Sequence, residues 1–155
     1  MTWTRPRIAL VACATASALA MLYVGFFQIG WLSHLACPGF GSGCESVALA
    51  SFANPLGLAD GLLGAALCGL IAAVAQLKGK EAAATLVVLA FANLFANVVG
   101  LFDMRKLGAF CLWRTFSAIL SLPIAVLALF CASTSELGSG ADLPPVAPAD
   151  RGEQR

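Results

Sequence analysis

Apolar residues dominate four stretches of the chain: Ile8 to Leu32, Leu56 to Leu77, Ala82 to Phe102 and Leu107 to Ala132. Short breaks rich in polar residues, glycine and proline separate them. Each stretch is longer than the ~20 residues that carry a helix across a hydrocarbon core at about 1.5 Å of rise per residue. Inside lipid a chain must satisfy its backbone hydrogen bonds within itself, which selects helices for apolar runs of this length. The pattern predicts an all-α membrane protein, a four-transmembrane-helix bundle over residues 1–132. A cysteine-containing extracytoplasmic loop joins helices 1 and 2, and residues 133–155 have the polar, Pro- and Gly-rich composition of a disordered tail.

Local signals refine the four spans. Pro55 precedes the second, where a proline suits the start of a helix, and Gly57, Gly61 and Gly64 recur within it at helical spacing, a face for close packing. "KGKE" (78–81) reads as a tight turn between spans 2 and 3, and "FDMRK" (102–106) as a tight turn between spans 3 and 4. In span 3, Asn93 and Asn97 stand one turn apart and face the bundle interior, because lipid would not solvate them. The connection from about Ser33 to Pro55 is the one long enough for structure of its own. Its first half is loop. Its second half, Glu45 to Phe52, predicts a short interfacial helix with Glu45 in the first turn, where the helix dipole favours an acid.

The first span begins like a secretory signal, with Arg5 and Arg7 before an apolar run and an Ala18-Leu19-Ala20 triplet. Hydrophobicity continues through Val24, Phe26, Phe27, Ile29 and Trp31, past the length of a signal's apolar region, so an uncleaved span is the expectation. Lysine and arginine near helix ends set orientation. Arg5, Arg7, Lys78 and Lys80 fall on one side and Arg105, Lys106 and Arg114 on the other. With Arg151 and Arg155 added to the first group, both termini are expected in the cytoplasm.

Composition agrees with a membrane setting. Of 155 residues, 60% are hydrophobic and 11% charged, whereas soluble domains carry about 25% charged residues. The net charge of +1 gives no case for a nucleic-acid partner.

The chemistry lies in the six cysteines. Cys13, Cys68 and Cys131 fall inside spans, where a thiol acts as a small apolar side chain. Cys37, Cys44 and Cys111 share the loop side, which in a bacterium would be the oxidising face of the membrane. Cys37 and Cys44 flank the flexible spacer "PGFGSG" (38–43), which lets their sulfurs meet. Two readings stay open: a structural bridge closing the loop, or a shuttle that exchanges with an incoming disulfide. A metal site is not expected, since three thiols and the single His34 lack zinc-type spacing. Cys111 falls in the first turn of span 4, where helix N–H groups and Arg114, one turn on, would stabilise its thiolate. Arg114 has a second reading, as a side chain snorkelling to the membrane surface.

Two blocks carry a resemblance, "CPGFGSGCESVALASFANPLGLADGLLGAAL" (37–67) and "LGAFCLWRTFSAIL" (107–120). From about Arg7 to Ala132 the chain resembles the vitamin K epoxide reductase family in its bacterial four-helix form. The first block is similar to the family's loop cysteine pair, its Cys-x-x-Val (Cys44 to Val47) and the glycine-bearing start of span 2. The second is similar to the Leu-Gly-x-x-Cys-x-x-Cys that heads span 4. The resemblance implies a membrane thiol–quinone oxidoreductase of the bacterial inner membrane. Electrons would pass from a thioredoxin-like partner through the redox-active loop pair to a quinone of the ubiquinone or menaquinone type, its substrate. Carried over by position, Cys37 is the outer shuttle thiol, Cys44 the inner one, and Cys111 receives from Cys44.

The chain departs from the family at three places. Arg114 stands at the quinone-side position, where the family has the second cysteine of span 4. Ala50, beside Ser51, stands where the family often has serine. Ala59 replaces a common proline and is followed by Asp60, a candidate charge partner for Arg114 at shared depth. These departures leave three readings: a reductase in which Cys111 works with Cys44 and Arg114 steadies charge on the quinone; a catalytically degenerate membrane protein that binds a quinone or a partner protein without turnover; and a small metal-ion transporter, disfavoured because no span carries two cysteines one turn apart.

Overall fold

The computed structural model describes residues 5–39, 41–54 and 57–139. These residues are helical wherever they are regular. Helix α1 spans Arg5–Gln28. The loop that follows carries a short helix, α2 (Gly43–Ala48), and a 3-10 turn (Ser51–Ala53). Then come α3 (Asp60–Val74), α4 (Lys80–Leu107) and α5 (Leu112–Ser139). Among the described residues, α1, α4 and the Leu112–Thr134 part of α5 are long and apolar enough to cross a membrane.

The second apolar run differs from expectation. Its regular helix has 15 residues, about 22 Å long, with turns from Ala75 to Leu77 carrying the chain on. Gly57 lies before the helix, in left-handed backbone (φ +78°), rather than on its packing face.

Two other boundaries move. "FDMRK" is the last part of α4, not a turn. Arg105 and Lys106 in the final turn complement the helix dipole, and Gly108, at φ +68°, is the αL residue that stops the helix. The short loop helix occupies Gly43–Ala48 rather than 45–52, with Glu45 in its first turn as expected. The helix α5 continues through Ser139; residues 140–155 of the expected tail lie outside the described residues.

The helices run up and down, with α1 packed on α3 and α5, and α4 packed on α5. The seam between α3 and α4 is the loosest among them. Small residues set the tightest crossing. A Cβ on Gly61 would lie 2.5 Å from the Gly25 backbone nitrogen, and one on Gly25 would lie 2.8 Å from the backbone nitrogen of Leu62. Backbones of α1 and α3 therefore touch, as in small-residue packing within lipid, where van der Waals contact holds helices together. Large apolar side chains such as Phe95, Val88, Ile119 and Phe130 remain exposed around the outside, the surface a lipid-facing bundle needs.

Away from the loop, the core is formed by Leu10 and Ala14 of α1, Ile71 and Ala75, Leu86 and Ala90 of α4, and Ile124 and Ala128 of α5. At the loop end the core contains Val24, Leu35, Cys44, Val47, Ala48, Met104 and Cys111.

Candidate functional site

The loop end gathers the chemistry. Cys37 and Cys44 are joined by a disulfide with Cα atoms 5.9 Å apart. Cys44 is fully buried, whereas Cys37 is half-buried. The start of α2 reaches the head of α5 because residue 43 has no side chain: a Cβ there would lie 2.7 Å from the Phe110 carbonyl oxygen. That approach lets the Leu112 N–H donate to Cys44 Sγ at 3.3 Å. The Cys44 sulfur is consequently no more than about 6 Å from the Cα of Cys111, the residue bonded to that nitrogen.

Cys111 is a free thiol and fully buried. It precedes α5 rather than lying in its first turn, and its carbonyl accepts the Thr115 N–H at 3.0 Å and the Thr115 hydroxyl at 2.8 Å. This is the N-cap position, where a side chain meets the N–H groups two and three residues on. Burial pushes the Cys111 thiol up from its ordinary value, and the backbone N–H groups of Arg114 and Trp113 offset this only in part. The expected depression of its pKa is thus reversed: the helix N–H groups act as anticipated, but desolvation outweighs them.

The loop is gripped beside Cys37. Tyr23 Oη accepts the Ala36 N–H at 3.1 Å, and Trp113 Nε1 donates to the Ala36 carbonyl at 2.8 Å. The two rings meet edge to face, 5.1 Å between centroids. His34 and Glu45 contact each other nearby, Nδ1 to Oε1 at 3.4 Å. Among the described residues no three His, Cys, Asp or Glu side chains converge as metal ligands.

Arg114 forms an ion pair with Asp60 at the start of α3. Its guanidinium carbon also lies 5.6 Å from the centre of the Phe52 ring, a cation–π contact. A residue the sequence analysis did not single out completes this arrangement. Gln28 Nε2 donates to Asp60 Oδ1 at 2.8 Å and to the carbonyls of Ala48 and Ala53 at 3.1 and 3.0 Å. Its Oε1 accepts the Gly61 N–H at 2.9 Å. One amide thereby ties the end of α1 to α2, the 3-10 turn and α3. The signal was present in the sequence: Gln28 is a lone amide in an otherwise apolar "VGFFQIGW".

Below the ion pair a cavity of about 250 Å³ extends into the bundle. Asp60, Leu63, Gly64 and Leu67 line it from α3. Asn93, Ala96, Asn97, Gly100 and Met104 line it from α4, with Arg114 and Ser117 from α5 and Met21 from α1. Its walls come mostly from the two helices of the loosest seam. The structure therefore brings Cys37, Cys44 and Cys111 into one cluster, with Arg114 and Asp60 on the wall of a partly open cavity beside it. Asn93 and Asn97 lie on the cavity wall, as interior positions for them require.

A polar chain crosses all the long helices along the cavity wall. Ser17 and Ser117 hydroxyls lie 2.6 Å apart. Cys68 Sγ approaches Ser17 Oγ at 3.4 Å and Asn93 Oδ1 at 3.5 Å, and Asn97 Nδ2 donates to Asn93 Oδ1 at 3.2 Å. Cys68 is thus part of a hydrogen-bonded core, while Cys13 and Cys131 pack at the edge of the far apolar cluster.

Compared with known proteins, the chain finds no match: no family model, no curated protein and no solved structure matches it.

Proposed function

We propose that the protein is a membrane thiol–quinone oxidoreductase of the kind the vitamin K epoxide reductase resemblance implies, working through Cys37, Cys44 and Cys111. The observation that carries this reading is the Leu112 N–H donated to Cys44 Sγ, which holds the loop disulfide against the buried free thiol at the head of α5. On this reading α3, extended by its flanking turns, is the fourth span. The loop faces the outside of a bacterial inner membrane, and both termini are cytoplasmic.

A balanced cycle follows. With all three cysteines reduced, the Cys111 thiolate adds to the quinone ring, forming a carbon–sulfur bond. The Cys44 thiolate attacks the Cys111 sulfur and forms a disulfide. The ring leaves with the electron pair, takes up protons and becomes hydroquinone. The Cys37 thiolate then attacks Cys44, giving the Cys37–Cys44 disulfide and a free Cys111, the pairing described above. A thioredoxin-like dithiol reduces that disulfide, becoming oxidised itself, so two electrons travel from dithiol to quinone per turn. The Leu112 N–H stabilises negative charge on Cys44 whenever that sulfur is the leaving group. Arg114, fixed by Asp60, offers positive charge where the ring oxygen becomes anionic, the setting in which preorganised charge matters most. A second cysteine in α5 is not required.

The test is thiol-dependent quinone reduction by the purified protein in lipid nanodiscs, beside Cys111→Ser and Arg114→Cys. The reading expects turnover by the native protein and none by Cys111→Ser. Turnover by Arg114→Cys alone would replace it with the second reading, a reductase fold that binds without reacting. Turnover by none would overturn it.

A further inference from the structure

At the bundle end opposite the loop, a second, partly open cavity of about 320 Å³ lies where the long apolar segments meet. Arg7 lines it from α1, Leu77 and Lys78 from the end of the second apolar run, Ala83 and Leu86 from α4, and Cys131 from α5. Its volume is at the lower end of the roughly 300–1,000 Å³ typical of small-molecule sites. The two cations are held differently. Arg7 is half-buried, and its Nη2 donates to the Leu77 carbonyl at 2.8 Å, which fixes the guanidinium across the gap between α1 and the chain after α3. A guanidinium carries five N–H donors, so most remain free for a ligand. Lys78 stands in the turn before α4 and is exposed. Among the described residues neither has an ion-pair partner.

The cavity is graded from polar to apolar. Gly79 stands beside the cations at φ +120°, a conformation that favours glycine, and supplies no side-chain cap to α4. Leu86, about 10 Å further along α4, is buried in the far apolar core, and Val74 packs against that core. Leu77 is 58% exposed, so the apolar wall continues outward to the lipid-facing side. Charge at this end is one-sided as well. Arg5 and Lys80 share it, and Glu81 is the one acid among the described side chains there.

A small inorganic anion would pair with the cations and leave the aliphatic wall in water. A bare alkyl chain would cover the wall and leave the cations unpaired. A zwitterionic headgroup brings a cation of its own toward Arg7 and Lys78. An anionic headgroup attached to acyl chains suits both parts, as basic pockets between membrane helices do for acidic lipids.

We propose that this cavity binds the phosphodiester headgroup of an anionic glycerophospholipid. Arg7 and Lys78 hold the phosphate, and Leu77 and Leu86 meet the apolar part of the lipid. The proposal needs a membrane setting but does not rest on the oxidoreductase reading. A lipid seated there touches α1, α4, α5 and the end of the second apolar run, and so closes one end of the α3–α4 seam, the loosest in the bundle.

The experiment titrates the full chain in neutral detergent with dioleoylphosphatidylglycerol or dioleoylphosphatidylcholine and counts bound lipids by native mass spectrometry. The native protein should hold one phosphatidylglycerol at least about tenfold more tightly than phosphatidylcholine. Arg7→Gln with Lys78→Gln should weaken that binding at least about tenfold. Arg5→Gln with Lys80→Gln removes the same charge from the same end but outside the cavity, and should change it by no more than about threefold. Ala83→Phe fills the cavity with every charge kept, and should weaken binding at least about tenfold. Equal affinity for the two lipids would overturn the proposal with no variant involved, so the test stands even if Ala83→Phe fails to fold. Equal losses in the two double variants would overturn it in favour of diffuse surface charge, and unchanged binding by a folded Ala83→Phe would place the lipid elsewhere. Displacement of phosphatidylglycerol by millimolar inorganic phosphate or glycerol phosphate would overturn the lipid assignment and make this a site for a soluble phosphate.

Discussion

The two ends of the bundle are built on different principles. Away from the loop, Leu10, Ala14, Ile71, Leu86, Ala90 and Ile124 form a core of aliphatic side chains with no directional contact among them. At the loop end, hydrogen bonds and ion pairs dominate: Gln28 ties four segments together, Asp60 pairs with Arg114, and Tyr23 and Trp113 hold Ala36. An apolar core tolerates shape-preserving exchange. A polar cluster in a low-dielectric interior fixes one geometry and is costly when half broken. The difference indicates that the far end supplies a frame, whereas the loop end supplies a position, that of the Cys37–Cys44 disulfide relative to Cys111.

The sharpest way to break the comparison is at the crossing that joins the two ends. Gly61→Leu drives a side chain into the α1 backbone and should cost at least about 3 kcal/mol, or abolish folding, in reversible unfolding from detergent. Next comes Asp60→Asn, which leaves a buried guanidinium uncompensated and should cost about 3 kcal/mol. The double variant Asp60→Asn with Arg114→Gln should recover most of that loss. Its failure to do so would mean that the ion pair is not the reason for the cost. Gln28→Leu keeps the volume but leaves carbonyls and the Gly61 N–H unpaired, with a loss of about 2 kcal/mol and a slowing of the proposed exchange between Cys44 and Cys111.

A smaller effect concerns pH. The Cys111 thiol is held above its ordinary value of 9.0. As pH rises past that value the unfolded chain ionises first and the folded one later, so the folded state binds more protons and its stability falls with rising pH. Cys111→Ala should remove that part of the decline. Smallest of all, Ile124→Val in the far core should cost about 1 kcal/mol and leave the exchange between Cys44 and Cys111 unchanged.

Much of this was legible in the sequence, for physical reasons that can be stated. Long apolar runs identify helices because lipid leaves the backbone no other partner. The PGFGSG spacer identifies a cysteine pair because six residues of Gly- and Pro-rich chain bring two sulfurs together easily. Asp60 and Arg114 were recognisable as ionisable groups at one depth. Other features depend on tertiary distances that no local pattern encodes. Gln28 acts through backbone carbonyls of two other segments, and carbonyls carry no sequence signature. The end of α4 was misplaced because Asp103, Arg105 and Lys106 read as a polar break, although they suit a final helical turn capped by Gly108. The thiol pKa of Cys111 was misjudged because burial is a property of the assembled loop end, not of Cys111 and its helical neighbours.

The most direct test of the central claim is disulfide mapping in Cys37→Ser, which removes the outer partner and leaves Cys44 beside Cys111. Membranes are isolated under mild oxidation, free thiols are blocked, and peptides are separated without reductant and identified by mass. The account predicts a Cys44–Cys111 disulfide, lost when Cys111→Ser is added. Cys44 and Cys111 both recovered as blocked free thiols would contradict it, because the loop thiol and the bundle thiol would then not exchange.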